Sequence, residues 1–259
     1  MKQRAFDVLG NIAIVNFPRG WKNGRHGRAP NQVGLKENLR KRFLLEAKQK
    51  FANKILKENK SIKTILEKKG KIKGRLRKLT TIYVAGEKTK EVLYRENGCV
   101  FRFNIDNTYF SPRLSNERKE IAGSVKKNDL VLVMFAGVGP FSIVIGKNSP
   151  AKKIYSNEIN REANKYCKLN IELNKLKDKV EIVPGDVKRV VGKLKKMSDF
   201  GQGVKKKSSF RASRKEREEN KGLPRFDVIV MPRPQLKETF LKEAFKLSKK
   251  GTKIFYYDF

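Results

Sequence analysis

The chain has 259 residues, 38% of them apolar, enough for one full α/β domain and a smaller companion. Its 62 Lys and Arg against 26 Asp and Glu leave a formal charge of +36, which argues for a polyanionic partner, nucleic acid first. Two cysteines, Cys99 and Cys167, and a single histidine, His26, offer no metal-type pairing; no apolar run approaches the ~18 residues of a membrane span. Zinc and Ser-His-Asp chemistry are set aside, no metal is expected, and the chain is read as cytoplasmic.

In chain order, "FDVLGNIAIVN" (residues 6 to 16) reads as a strand pair or a bent strand. "QVGLKENLRKRFLLEAKQKFANKIL" has helical spacing, with Leu39, Phe43, Leu44, Ala47 and Phe51 on one face. The basic stretch "KENKSIKTILEKKGKIKGRLRKL" leads into three strand candidates, "TTIYVAGE", "EVLYRENG" and "CVFRFNID", separated by Gly, Lys and Asn turns. This first part is read as a smaller β-rich α+β domain, residues 1 to 115.

From "NDLVLVMF" the pattern alternates: "KKIYSN", "REANKYCKLNIELNKL", "KVEIVPGD", "VKRVVGKLKKM", "FDVIVMP", "KETFLKEAFKLSKK" and "TKIFYYDF" read as strand, helix, strand in turn. Such alternation predicts an α/β domain over residues 116 to 259, a mostly parallel, Rossmann-like sheet with helices on both faces. A basic insertion at about 200 to 223 holds eight Lys and Arg against three Glu in "GQGVKKKSSFRASRKEREENKG" and is expected to be disordered without RNA. With the stretch at 52 to 78 it is a candidate RNA-facing patch.

"FAGVGPF", after the first strand of this alternation, is a glycine turn without the Gly-Lys-Ser/Thr of a P-loop and without the third glycine of a dinucleotide fingerprint. A lone Gly-x-Gly specifies little. It gains force from the next two strand ends, where "IYSNEIN" puts Glu158 in reach of a ribose's two hydroxyls and "IVPGDVK" puts Asp186 in reach of an adenine amino group. Glycine turn, acid, acid is the layout expected for S-adenosylmethionine. Phe135, Ala136, Gly137, Val138, Gly139, Glu158, Ile159, Asn160, Asp186 and Val187 are the candidate cofactor residues. Each acid read alone is a helix N-cap or a solvated loop charge. Val133 stands where such folds commonly carry an acid, so the cofactor's amino-acid end would be held by other groups.

"YFSPRLSNERKEIA", "FAGVGPFSI", "NEIN" and "VIVMPRPQL", with "FDVLGNIAIV" and "VAGEKTKEVLYRENGCVFRFNI" upstream, resemble the archaeal and eukaryotic tRNA (guanine-37-N1)-methyltransferase family. The resemblance implies Glu117 as general base at N1 of guanine, Arg77 as the cation that stabilises charge on O6, and Arg118 beside the cofactor. It also implies Tyr109 and Arg113 at the substrate, with Tyr109 or Phe110 stacking on the turned-out base. Pro232 stands where most members carry an Asn that orients the base. Members with this kind of change resemble archaeal dual-function enzymes that also methylate C7 of 4-demethylwyosine, so the site is read either as accepting a larger base or as tolerating drift. The family's N-terminal domain and the strands that follow "GTKIFYYDF" are expected to be missing here. Beyond tRNA no protein partner is evident, and a monomer is expected. Two rivals stand beside this reading: a wyosine-pathway transferase that donates the aminocarboxypropyl group, whose turn typically reads Gly-Ile-Gly-Tyr-Phe, and a non-catalytic basic RNA-binding protein.

Overall fold

A computed structural model describes residues 6 to 17, 37 to 74, 76 to 194, 224 to 232 and 238 to 257. The basic insertion and His26 lie outside the described residues, as does residue 75 of the 52 to 78 stretch. No helix among the described residues is long and apolar enough to cross a membrane. The chain divides into two compact units, one of described residues up to Tyr94 with Arg102–Asn107, the other of Arg95–Phe101 with the residues from Thr108 on. The division thus falls at 107/108 rather than 115, and a hairpin tip from earlier in the chain joins the second unit.

In the first unit, β1 (Phe6–Leu9) and β2 (Ile12–Val15) form an antiparallel hairpin. Helix α1 (Glu37–Glu58) then crosses over to β3 (Thr64–Lys73), which runs parallel to β2 and antiparallel to β4 (Lys78–Gly86). Ala52 and Ile55 of α1 bury against Ala13, Val15, Ile65 and Val84. The apolar face predicted for α1 is covered only in its second half: Phe43 is 51% exposed and Leu39 and Leu44 are exposed as well. Strand β3 was hidden in the basic stretch; its Ile65 and Leu66 are fully buried, while Glu67 accepts from Lys48 at 2.8 Å and from Lys69 at 2.8 Å. The charge of those lysines obscured a strand whose apolar residues are central.

A hairpin of β5 (Glu91–Glu96) and β6 (Cys99–Asn104) turns at Asn97-Gly98, both at positive φ (47° and 72°), as a tight two-residue hairpin requires.

The second unit begins with a short 3-10 turn, Pro112–Leu114, and α2 (Ser115–Ser124). It continues through β7 (Leu130–Val133), α3 (Pro140–Asn148), β8 (Lys153–Glu158), α4 (Arg161–Leu173), β9 (Val180–Pro184), α5 (Val187–Leu194), β10 (Phe226–Met231), α6 (Leu241–Lys246) and β11 (Ser248–Tyr256). All five strands are parallel, in the order β11-β10-β7-β8-β9. The chain winds from β7 toward β9 and then restarts at β10 on the other side, so the carboxyl end of β7 is the topological switch point, where open α/β sheets open a crevice for ligands. Helix α6 stops four residues before the predicted end at Lys250. Ser248 already pairs with Phe226, and Arg225 donates to the carbonyls of Lys246 and Ser248 at 2.8 Å each, drawing "SKK" into the strand.

Candidate active site

The glycine turn leaves β7 through strained backbone. Phe135 adopts φ 57°, unusual for a non-glycine residue, and its ring packs edge-on to Phe240 at 5.2 Å. Met134 N–H donates to the Val230 carbonyl and Ala136 N–H to that of Asn157, both at 2.8 Å, which ties the turn to its two neighbouring strands. Gly139, at φ 86°, opens α3; a β-carbon there would sit 2.7 Å from Cys167 Sγ, inside contact distance. Cys167 is buried with its Sγ 3.6 Å from Ser156 Oγ, and burial pushes the thiol up to about 12. Gly139→Ala must therefore displace the turn against a buried wall, and we expect at least a tenfold loss of cofactor affinity, read by calorimetry, with the fold retained in circular dichroism.

Glu158 at the end of β8 is held from both sides. Its Oε2 accepts from Gly137 N–H at 2.8 Å and its Oε1 from Asn160 N–H at 2.7 Å. A carboxylate has roughly four acceptor positions, so two remain for hydroxyls. Gly185 N–H donates to the Glu158 carbonyl at 2.9 Å, and Asn157 Nδ2 donates to the carbonyls of Val183 and Gly185 at 2.8 and 2.9 Å. The end of β9 is thereby fastened beside that of β8. Asn160 caps α4 through Glu162 N–H at 3.1 Å. Ile159 is half-buried.

Asp186 is the N-cap of α5, with Oδ1 accepting from Lys188 N–H at 3.0 Å, so the plainer of its two sequence readings is realised; one carboxylate oxygen is engaged this way. Val138 and Val187 offer a ligand their backbones, not their side chains. Val138 is fully buried, Val187 lies in the core with Leu132 and Val190, and only their backbones can face a ligand.

Glu117 stands in the first turn of α2, where no side chain caps the helix and the free N–H groups favour a negative charge. Its Oε2 is buried and has no hydrogen-bond partner among the described residues. The next residue, Arg118, is 1% exposed: its fork donates to Glu96 Oε1 at 2.5 Å and Oε2 at 2.7 Å, and Nη2 also reaches the Ser111 carbonyl at 3.0 Å. The guanidinium lies between the rings of Phe110 and Phe141, 5.2 and 5.4 Å from their centroids. Arg118 is a buried tie between the hairpin tip, the "FSP" segment and α2, packed on Phe141 just after the glycine turn, a role that sequence cannot show because an arginine is rarely buried. Phe110 is enclosed as well, against Phe101 at 5.6 Å, and cannot be the stacking platform. Tyr109 is half-buried, with its carbonyl 3.4 Å from where a Gly137 β-carbon would stand; Arg113 is exposed on the 3-10 turn.

Pro232 follows β10 directly and is half-buried. Arg77 belongs to the first unit, in the β3–β4 turn at φ 51°, its N–H donating to the Gly74 carbonyl at 3.0 Å. Glu96 was missed as a site-forming residue; an acid at a hairpin end gives no signal of its own. Among the described residues no group of three or more His, Cys, Asp or Glu is placed to hold a metal.

A strained glycine turn at the switch point of a parallel sheet, with a backbone-clamped acid at the next strand end, defines a Rossmann-like fold of the nucleoside-binding kind. Residues 92 to 200 match the model of the TRM5/TYW2 methyltransferase domain. The chain is 37% identical over 272 aligned positions to a Nanoarchaeum equitans protein named tRNA (guanine(37)-N(1))/4-demethylwyosine(37)-methyltransferase Taw22, covering 95% of this chain and 81% of that one. It superposes on Methanocaldococcus jannaschii Trm5 in complex with adenosine with a TM-score of 0.63 and 28% identity, over 99% of this chain and 61% of that one. Against the complex of aTrm5 and tRNALeu the TM-score is 0.65 at 27% identity, over 99% and 60%. The chain therefore spans about three-fifths of these two solved structures. It belongs to the TRM5/TYW2 methyltransferase family.

Proposed function

We propose that the chain methylates N1 of guanosine 37 in tRNA, using S-adenosylmethionine. The observation that carries this reading is the Glu117 carboxylate, in the unit that also holds the glycine turn, whose buried Oε2 lacks a hydrogen-bond partner among the described residues. A buried carboxylate oxygen left unsatisfied is costly, and the N1–H of guanine is a donor of the right kind to fill it.

The donor set fits the cofactor. Glu158, fixed by Gly137 and Asn160, has acceptor positions left for two ribose hydroxyls. The glycine turn of residues 135 to 139 lies at the switch point, and Asp186 follows the next strand, placed for the adenine amino group. Bound there, S-adenosylmethionine supplies an electrophilic methyl group on a sulfonium. Glu117 takes the N1 proton as N1 forms its bond to that methyl and the sulfur–methyl bond breaks. Arg77, placed by family resemblance, offsets the charge that develops on O6. Methyl rather than aminocarboxypropyl transfer is favoured by Pro140 in "GVGPF", against the Tyr of the aminocarboxypropyl turn.

A second substrate is favoured by two observations: the relative matched over most of both chains carries 4-demethylwyosine in its name, and Pro232 brings neither an N–H nor a polar side chain to its strand end. We expect nucleoside mass spectrometry to detect a methylated product from tRNA with guanosine at position 37 and from tRNA with 4-demethylwyosine there. Methylation of guanosine alone removes the second substrate; methylation of neither removes the reading. The +36 charge supports tRNA as the partner, with affinity that falls steeply with salt; action as a monomer in the cytoplasm is part of the proposal.

A further inference from the structure

We propose that Tyr257 belongs to the target-base pocket and supplies the polar contact to the base that Pro232 cannot make. The inference rests on the transferase reading above. Met231 of β10 pairs in register with Tyr256 of β11, so Pro232 and Tyr257 are the next residues out and leave the carboxyl edge of the sheet side by side. Neighbouring strands lie about 4.8 Å apart, within the reach of a tyrosine side chain.

Both residues leave the sheet on the face that carries α3. Met231 is buried in the core formed with Val187, Val190 and Ala244 of α5 and α6, and strand alternation sends the following residue to the opposite face. Tyr257 is found on that face: its ring lies 6.0 Å from Phe141 in the first turn of α3, at 59°. Burial first, and then the charge of Glu117, push its phenol up to about 12. The hydroxyl therefore stays protonated at neutral pH, able to donate and to accept, beside the carboxylate assigned to the N1 proton. Tyr257 is half-buried, its ring packed on Phe141.

The test compares the unmodified chain with Tyr257→Phe, Pro232→Asn and the double variant. The readouts are kcat/KM on tRNA with guanosine 37 and calorimetric Kd for S-adenosylmethionine. Tyr257→Phe is expected to keep the cofactor Kd within about twofold and to lower kcat/KM about tenfold, the effect of one lost hydrogen bond. Adding Pro232→Asn, which restores a donor next door, is expected to recover most of that loss. A Tyr257→Phe protein at full activity overturns the proposal. So does one that loses cofactor binding in parallel, because Tyr257 then serves only to prop α3. A tenfold loss that Pro232→Asn leaves unrelieved overturns the substitution of one position for the other. Should the unmodified chain bind cofactor yet leave guanosine unmethylated, the transferase reading falls, and this proposal with it, before any substitution is made.

Discussion

Glu117→Gln is expected to lower the single-turnover rate of methyl transfer by roughly 10²- to 10⁴-fold, the range for loss of a positioned general base. The amide keeps the shape of the side chain but cannot accept the N1 proton. Affinities for tRNA and for S-adenosylmethionine should stay within about threefold, because neither the glycine turn nor Glu158 depends on Glu117. The variant also loses a charge in the first turn of α2, which contributes about 0.3–1 kcal/mol to the helix and is too small to unfold it. Rapid-quench measurement of the methylated nucleoside separates the chemical step from binding. A loss under threefold would move the base to another residue.

What was legible in the sequence follows from periodicity and from turn chemistry. Strands buried on both faces must be continuously apolar, so "LVLV" and "VIVM" announced β7 and β10, and the Gly-Val-Gly after β7 announced the switch point. Glu158 was singled out because an acid at the end of the next strand has few structural duties, and two backbone donors fix its carboxylate in place. Asp186 was ambiguous because a cap and a ligand contact require the same residue type at the same place. Strand β3 was illegible because alternating lysines resemble a solvated run. The first half of α1 was misjudged, since helical spacing of Leu39, Phe43 and Leu44 does not say whether anything covers them. Arg118 and Glu96 could not be paired from sequence at all: 22 positions separate them, and only the folded hairpin tip brings them together.

That pair sets the largest expected effect on stability. Arg118 and Glu96 have side chains 1% and 3% exposed, so the ions are nearly as fully desolvated as the core. Removing one partner leaves the other charged and buried, and Glu96→Ala is expected to destabilise the fold by about 3–5 kcal/mol. The loss should appear in urea denaturation followed by circular dichroism. Replacing both, as Glu96→Leu with Arg118→Met, removes the stranded charge and keeps apolar volume between Phe110 and Phe141; most of the lost stability should return, because well-packed hydrophobic replacements of buried ion pairs are often neutral or better. Activity should not return with it. Arg118 also donates to the Ser111 carbonyl, and this directed bond fixes the "FSP" segment against α2, where Glu117 stands. A methionine packs but cannot donate. The double variant is thus expected to be folded with full cofactor affinity and a kcat reduced by about tenfold, the effect of one lost charge-assisted hydrogen bond. Full activity in that protein would mean that the pair holds the fold and has no part in placing the base.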